Sequence, residues 1–172
     1  MHPIPPQVIW LTGLSGSGKS TLAELLEKLL MGQGLPTFRI DGDLLRQHHG
    51  GDLGFSREDR SANVRRAIQI AGAKMKENYI VIVSLTSPCL QDRALARSVI
   101  GPSQFKEVYV NTPLSVCEAR DPKGLYHKAR LGLISNMVGI DLPYEASPQP
   151  DFTIDTSKGS NEAWIDKLLA QL

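Results

Sequence analysis

Gly13-Leu-Ser-Gly-Ser-Gly-Lys-Ser20 is the stretch of this sequence that decides the fold. It matches the G-x-x-x-x-G-K-[ST] pattern of a phosphate-binding loop. The apolar run 8–12 before it predicts a buried parallel strand, and the leucine-rich run 21–30 after it predicts a helix that begins near Lys19. A strand, a glycine loop and a helix in this order indicate a phosphate site rather than a chance glycine-rich turn.

The residue types of this loop suit the binding of a nucleoside triphosphate. Glycines let backbone N–H groups approach phosphate oxygens, and the helix points its positive dipole end at the same anion. Lys19 is expected to reach the β- and γ-phosphates, and the Ser20 hydroxyl to bind Mg²⁺. The predicted ATP-binding residues of this stretch are Gly13, Leu14, Ser15, Gly16, Ser17, Gly18, Lys19, Ser20 and Thr21.

Length and composition predict one domain over residues 1–172, with 41% hydrophobic and 22% charged residues. The net charge of +1 gives no global field that favours a nucleic-acid or membrane partner, so neither is expected. Cys89 and Cys117 form no CxxC pattern and are expected to be reduced thiols. Without a membrane-spanning run or a signal-peptide pattern, the sequence predicts a cytoplasmic protein.

Strands and helices alternate along the rest of the chain. Further strands are predicted at 37–40, 80–83, 105–110 and 152–154, and helices from Ser56, over 91–99, from Thr112-Pro113 and over 160–172. Residues 121–150 have weak periodicity and resemble a mobile lid. The sequence therefore predicts an α/β P-loop kinase fold, with a doubly wound five-stranded parallel sheet flanked by helices and a site at the carboxyl ends of the strands.

Asp41 and Asp43 are the candidate carboxylates for catalysis. Strand 80–83 is followed by no carboxylate, whereas strand 37–40 runs directly into Asp41-Gly-Asp43. One aspartate could contact Mg²⁺, for which Asp41 is the candidate, and the other could orient or deprotonate an attacking hydroxyl. The alternative is that Asp-Gly-Asp is simply a turn, because these residues favour turns.

Two groups of cations accompany these carboxylates. The first contains Arg46, Arg57, Arg60, Arg65 and Arg66, and Arg60 shares a predicted helix face with Asn63. Guanidinium groups suit the recognition of phosphate or sulfate oxygens, although Arg57 and Arg65 also fit a solvated helix surface. The second group lies in the predicted lid and contains Arg120, Lys123, Lys128 and Arg130. Lid cations can close over transferring phosphates, but Lys128 and Arg130 also fit a solvated loop.

Several blocks of the sequence together resemble the adenylyl-sulfate kinase (APS kinase) family over almost the whole chain. The resemblance rests on Trp10-Leu-Thr-Gly-Leu-Ser-Gly-Ser-Gly-Lys-Ser20, Asp41-Gly-Asp43, Asp52-Leu-Gly-Phe-Ser56, Asp59-Arg60, Ser87-Pro88, Arg120-Asp-Pro-Lys-Gly-Leu-Tyr126 and Gly139-Ile-Asp141. The Asp52-Leu-Gly-Phe-Ser56 and Arg120-Asp-Pro-Lys-Gly-Leu-Tyr126 blocks are far more specific to this family than the P-loop. The resemblance implies phosphorylation of the 3′-hydroxyl of adenosine 5′-phosphosulfate (APS) by MgATP.

The resemblance also implies residue roles. Arg46, Arg60 and Asn63 would bind the phosphosulfate and nucleotide of APS, with Asp43 and Ile140 beside it. Phe55 would form one face of an adenine clamp, Lys123 would lie near the reacting phosphates, and Arg120 would pack on the ATP adenine. Ser87 matches a serine described as a phosphoserine intermediate, but a P-loop kinase that binds both substrates can transfer directly, so Ser87 could instead position substrate. A homodimer and an association with ATP sulfurylase are further expectations.

Some positions depart from the family pattern. Met137-Val138 replaces a Phe-Thr pair, which makes Met137 the second member of the adenine clamp, and Thr86 stands where Ile is common. His48 and His49 replace small or apolar residues and are expected in an exposed loop. Two other functions stay open at this point: a P-loop kinase of another nucleotide or small anionic hydroxyl compound, and a nucleotide-binding regulatory module without transfer activity.

Overall fold

The five predicted strands form one parallel sheet. The structure, a computed structural model, describes residues 4–49 and 51–172. Its strands are β1 (Val8–Thr12), β2 (Thr37–Asp41), β3 (Ile80–Ser84), β4 (Phe105–Val110) and β5 (Phe152–Ile154), in the spatial order β2-β3-β1-β4-β5. The predicted five-stranded parallel sheet is therefore confirmed, and β1 lies at its centre between β3 and β4.

Helices cover both faces of this sheet. They are α1 (Lys19–Gly32), α2 (Gly42–His48), α3 (Arg57–Lys76), α4 (Leu90–Ile100), α5 (Leu114–Arg120), α6 (Leu125–Arg130) and α7 (Asn161–Leu169). Because side chains alternate along a strand, Val8 and Trp10 of β1 pack with α3 and α4, whereas Ile9 and Leu11 pack with α1 and α7. The predicted doubly wound arrangement is thus confirmed, with all five β1 residues buried.

Helix α2 corrects one expectation. Asp41-Gly-Asp43 was expected at the end of a strand, with a simple turn as the alternative, and His48 and His49 were expected in a loop. Asp41 does end β2, but Gly42–His48 form α2, and the Asp41 side chain caps this helix by accepting hydrogen bonds from the N–H groups of Asp43 and Leu44. His48 closes this helix, and both histidines are exposed as expected. The cap explains the helix, because Asp41 satisfies backbone donors that its first turn leaves free.

The region expected to act as a lid also contains structure that its weak periodicity did not indicate. Residues 125–130 form α6, and a small separate cluster joins Cys117, Tyr126, Ala129 and Met137. Asp121 stabilises the start of this helix, because its carboxylate accepts hydrogen bonds from the N–H groups of Tyr126 and His127. The first part of the predicted lid, together with Met137, is consequently packed against Cys117 of α5.

Two smaller expectations have mixed outcomes. Ser56 caps α3 as predicted, with its Oγ 3.1 Å from the N–H of Asp59. Thr112 was expected to cap the next helix, but Pro113 occupies that position and the Thr112 hydroxyl instead donates to the Ser17 carbonyl at 3.0 Å.

Cys89 and Cys117 are free and buried. Within residues 4–49 and 51–172, none of the helices is both long and apolar enough to cross a membrane.

Candidate active site

The phosphate loop joins β1 to α1 in a conformation that requires glycine. Gly13 has φ +146°, and a Cβ there would lie 2.4 Å from the Val110 carbonyl oxygen. Gly18 is the N-cap of α1 with φ +101°, and a Cβ there would meet Thr156 at 3.0 Å. These positions keep the backbone close to β4 and to the loop after β5, so that the N-terminus of α1 opens into the cavity described below.

Lys19 is held beside this loop. Its Nζ donates to the Leu14 carbonyl at 2.6 Å, and only 9% of the residue is exposed. Burial, followed by repulsion from Lys123, lowers the pKa of Lys19 from 10.5 to about 8. A bound polyanion would raise this pKa again, because phosphate oxygens would replace the Leu14 carbonyl as partners of Nζ and stabilise the charged ammonium.

Asp41 connects the phosphate loop to β3. Its Oδ2 accepts hydrogen bonds from the Ser20 hydroxyl at 3.0 Å and from the Ser84 hydroxyl at 3.1 Å. Partial burial acts to raise the pKa of Asp41, but the hydrogen bonds from Asp43, Ser20, Leu44 and Ser84 outweigh it, so the pKa lies below the usual value. Asp41 is therefore a carboxylate at neutral pH, next to the hydroxyl of Ser20.

Asp43 lies one residue into α2 and contacts cations from two sides. It forms a salt bridge with Lys123 of the lid, and its Oδ1 lies 3.7 Å from Nη1 of Arg46. The structure thus brings together Asp43 and Lys123, which are 80 positions apart in the sequence. This pair links the start of α2 to the lid.

The opposite end of the cavity carries an aromatic ring and two guanidinium groups. Phe55 is 46% exposed, and the guanidinium carbons of Arg46 and Arg60 lie 4.8 and 5.4 Å from its ring centroid. Burial, with repulsion from Arg46, lowers the pKa of Arg60 to about 10. Arg60 also donates to the carbonyls of Phe55 and Asn136, which ties the Phe55 loop to the lid.

Two buried polar atoms at this end have no hydrogen-bond partner among the described residues. They are Nε of Arg46 and Oδ1 of Asn63. Asn63 does donate through Nδ2 to the Gly42 carbonyl at 3.3 Å, which fixes its orientation. One unpaired donor and one unpaired acceptor beside a half-exposed ring suit a polar, ring-containing ligand.

Ser87 lies at the cavity wall beyond the end of β3. Its residue is 3% exposed and has φ +36°, an uncommon value for a non-glycine residue. Its Oγ accepts a hydrogen bond from the Trp10 indole N–H at 2.9 Å and lies 3.2 Å from the Leu85 carbonyl. The hydroxyl is therefore engaged with the protein core.

Met137 borders the cavity, whereas Ile140 lies behind its wall. Met137 borders the cavity but is 5% exposed and packs with Cys117, Tyr126 and Ala129. Ile140 packs against the same cluster and is absent from the residues that line the cavity in the described part of the chain. The clamp proposed for Phe55 and Met137 consequently pairs a half-exposed ring with a largely enclosed thioether.

The edge near the phosphate loop includes residues that sequence analysis missed. Arg120 donates to the Thr156 hydroxyl at 2.7 Å and to the Gly16 carbonyl at 3.3 Å. The Thr156 hydroxyl in turn donates to the Ser17 carbonyl at 2.7 Å. The first residues of α7, Asn161 and Glu162, also border the cavity. The position of Thr156 two residues after the end of β5, at the carboxyl edge of the sheet, was the available signal.

Most of these parts surround one cavity of about 860 Å³. Its lining includes most of the predicted site residues: Ser15, Gly16, Gly18, Lys19, Ser20, Thr21, Asp41, Asp43, Arg46, Phe55, Arg60, Asn63, Ser87, Arg120, Lys123 and Met137. The phosphate loop lies at one end, the Arg46, Phe55, Arg60 and Asn63 group at the other, and the two aspartates between them. The arrangement provides space for a nucleoside triphosphate and a second polar ligand side by side.

This fold and this site define the chain as a P-loop kinase. A sequence profile described as adenylylsulphate kinase matches residues 5–155. The chain belongs to the adenylylsulphate kinase family. The adenylyl-sulfate kinase of Pseudomonas aeruginosa is 50% identical over 167 residues, which cover 97% of this chain and 85% of the relative. That of Clostridium acetobutylicum is 47% identical over 165 residues, covering 96% of this chain and 82% of the relative.

Solved structures agree with this assignment. An APS kinase of Mycobacterium tuberculosis in complex with AMPPNP and APS superposes with a TM-score of 0.93, at 41% identity and 98% coverage of both chains. A gluconokinase from Sinorhizobium meliloti, at 19% identity, shares the fold with a TM-score of 0.61 and covers 96% of this chain. The expectation that the chain is an ATP-dependent kinase that acts on APS is confirmed by the family match and the similarity to characterised relatives.

Proposed function

We propose that this chain transfers the γ-phosphoryl group of ATP directly to the 3′-hydroxyl of APS, with the two nucleotides bound at opposite ends of the cavity. The main support for this proposal is that Asp43 and Lys123 pair with each other and line the cavity together with the phosphate loop and the Arg46, Phe55, Arg60 and Asn63 group. Lys19 and the N–H groups of the phosphate loop bind the ATP phosphates, and Arg120 and Thr156 border the same half of the cavity. APS binds at the other end, where guanidinium groups receive its phosphosulfate.

Asp43 is the proposed base for the attacking hydroxyl. Its carboxylate is held at the start of α2 and faces Lys123, a cation able to follow phosphate charge as it moves. When Lys123 binds phosphate oxygens, the Asp43 carboxylate becomes free to accept the hydrogen bond of the acceptor hydroxyl. Lys19 and Lys123 then stabilise the charge on the transferring group, which is the main catalytic effect in this class of reaction.

Ser20 and Asp41 fit a Mg²⁺ site. Their Oγ and Oδ2 atoms are 3.0 Å apart, and both are oxygen ligands of the kind that Mg²⁺ prefers. Among the described residues there is no cluster of three or more potential metal ligands from His, Cys, Asp and Glu. A site with few protein ligands suits a metal that arrives with nucleotide phosphates. Bound Mg²⁺ would neutralise charge on the phosphates, while Ser20 and Asp41 hold it at the start of α1.

Ser87 is proposed to position substrate rather than to carry phosphate. Its hydroxyl is bonded to the Trp10 indole inside the core, and a phosphoryl group on that oxygen would require this contact to break. The described contacts of the Ser87 hydroxyl are the Trp10 indole, the Thr12 hydroxyl and the Leu85 carbonyl, and none of these groups is a general base. Direct transfer needs none of these changes.

An ADP-release assay tests the proposed function. The protein is supplied with MgATP and with APS or one of a panel of other nucleotides and small anionic hydroxyl compounds. We expect ADP release with APS and formation of 3′-phosphoadenosine 5′-phosphosulfate. Preferred turnover of another acceptor would replace APS as the substrate, and ATP binding without any transfer would favour a regulatory module.

We also propose a cellular location and two kinds of assembly for this chain. A cytoplasmic location fits the two free, buried thiols. A homodimer, and an association with ATP sulfurylase, are proposed from the family, in which the APS kinase of Thiobacillus denitrificans is hexameric. Light scattering of the purified chain at several concentrations, with and without ATP sulfurylase, tests both assemblies.

A further inference from the structure

Arg93 of α4 is the most enclosed charged side chain at the back of the cavity wall, with 1% of the side chain exposed. Its Nε donates to Oε1 of Glu107 on β4 at 2.9 Å. Its Nη1 donates to the Ser87 carbonyl at 2.5 Å. Its Nη2 donates to the Glu145 carbonyl and to the Ser147 hydroxyl. One guanidinium group therefore contacts three separate parts of the chain.

One of these parts borders the active-site cavity, and another lies at the end of the predicted lid. Ser87 borders the cavity with an uncommon positive φ, and Glu145 lies at the end of the lid segment 121–150. Glu145 is also joined to the Ser87 side by two other hydrogen bonds: its N–H donates to the Pro88 carbonyl, and its carboxylate accepts from the Leu90 N–H at 2.7 Å. The end of the lid is thus attached to the same turn that forms the cavity wall.

Tyr144 provides a parallel connection. Its ring stacks on Tyr109 with centroids 5.4 Å apart, and the Arg93 guanidinium lies 5.2 Å from its centroid. Its hydroxyl lies 2.7 Å from Thr12 Oγ1, which in turn donates to the Thr86 carbonyl at 2.8 Å. The last residue of β1, the Thr86–Ser87 turn and the lid end therefore share one network.

We propose that Arg93 is a positioning residue for the acceptor substrate, because it locks the Ser87 turn and the lid end at Tyr144–Ser147 into one unit. Only an arginine can make this connection, since its planar group presents donors in several fixed directions, whereas a lysine presents one point charge. The inference rests on the proposed location of APS beside the Ser87 wall. Among the described residues, the hydrogen-bond partners of Arg93 are Glu107, Ser87, Glu145 and Ser147, and none of these belongs to the phosphate loop.

Steady-state kinetics of Arg93→Lys tests the proposal. The matched control is Arg97→Lys: Arg97 lies on the same helix and faces the same Glu107, at 3.8 Å, but its other contacts are Asp151, the Phe105 carbonyl and the Phe105 ring. For Arg93→Lys we expect KM for APS to rise about tenfold, the scale of losing a charged hydrogen bond, with kcat and KM for ATP changed less than about twofold. For the Arg97→Lys control, kcat, KM for APS and KM for ATP should all stay at the wild-type values.

A merely structural role gives a different result. Partial unfolding lowers the apparent kcat by removing active enzyme and leaves both KM values unchanged, so that pattern would overturn the proposal. A rise in KM for ATP equal to that for APS would overturn it as well. If Arg93→Lys does not fold, Tyr144→Phe decides: it keeps the ring contacts and removes the Thr12 hydrogen bond. It should raise KM for APS severalfold, and an unchanged KM for APS would contradict the network.

The wild-type protein separates this inference from the proposed function. If wild type does not phosphorylate APS, the proposed function fails. If wild type phosphorylates APS and folded Arg93→Lys has a normal KM for APS, the function stands and the positioning role is rejected.

Discussion

Lys123 of the lid and Asp43 of α2 form a salt bridge that joins two walls of the same cavity. Each partner is about half exposed, so solvent screens the pair and its contribution to stability is small. Its importance is chemical: the proposed base and the lid cation are each other's partner until nucleotide phosphates compete for the lysine. We therefore expect Asp43 to be available as a base only when ATP is bound.

Replacement of Lys19 tests the phosphate site. Lys19→Ala should abolish measurable transfer while the fold is retained, because the ammonium stabilises charge in the transition state. Coupled ADP release and a thermal melt measure the two properties. Lys28→Ala, an exposed change on the same helix, is the control and should behave as wild type. Normal turnover in folded Lys19→Ala would contradict the kinase mechanism.

The two aspartates should separate by their dependence on Mg²⁺. At least one of Asp41→Asn and Asp43→Asn should lower kcat by about 100-fold or more, the scale of general-base catalysis. From their contacts, we expect Asp41→Asn to raise the Mg²⁺ concentration needed for half-maximal rate and Asp43→Asn to lower kcat at saturating Mg²⁺. Exposed Asp166→Asn serves as the control. Near-normal kcat in both variants would place the metal ligand and base elsewhere.

Ser87→Ala distinguishes direct transfer from a phosphoserine intermediate. We expect substantial transfer to remain, since the change removes the Trp10 hydrogen bond and leaves the base and cations in place. Mass spectrometry of the wild-type protein after incubation with ATP should detect no phosphate on Ser87. Complete loss of activity in a folded variant, together with isolable phosphoserine in wild type, would support the covalent route.

Phe55 and Met137 should contribute to APS binding unequally. Base stacking on an aromatic ring is worth about 1–3 kcal/mol, so Phe55→Ala should weaken APS binding by about five- to 150-fold. Met137→Ala should weaken APS binding less, but should lower stability by about 2–5 kcal/mol because its side chain is enclosed by the lid cluster. Calorimetry with the ADP-bound enzyme and chemical denaturation measure these effects. An unchanged APS affinity in Phe55→Ala would reject the clamp.

The pKa of Lys19 predicts a pH profile for ATP capture. Burial and Lys123 lower this pKa to about 8 in the free enzyme, so the ammonium is present below pH 7 and lost as pH rises through 8. We expect kcat/KM for ATP to fall above pH 8, because this ratio reports the free enzyme. The phosphates restore the charged form in the complex, so kcat should hold to higher pH. Parallel decline of both quantities would contradict this assignment.

The sequence predicts the sheet well because its central strands are short, largely apolar runs, as at 8–12 and 80–83. It predicts the phosphate loop equally well, since Gly13 and Gly18 are required by local geometry. It misses α2 because Asp41-Gly-Asp43 is compatible with both a turn and a helix start, and tertiary contacts of Leu45 decide between them. Arg93 is missed for another reason: a charged residue in a helix predicts a solvent-exposed face, and its burial depends on partners far along the chain.

The predicted lid is attached to the rest of the protein near both ends, and this limits the entropy lost when the segment is ordered over bound substrates. Tyr126 donates from its hydroxyl to the Ser15 carbonyl at 2.8 Å near the start, and Glu145 is attached to the core at the end. Ordering a backbone residue costs about 1–2 kcal/mol, so a freely hinged segment of this length would use much of the substrate's binding energy on its own immobilisation. With both ends anchored, the binding energy of the nucleotides is available to align the reacting groups.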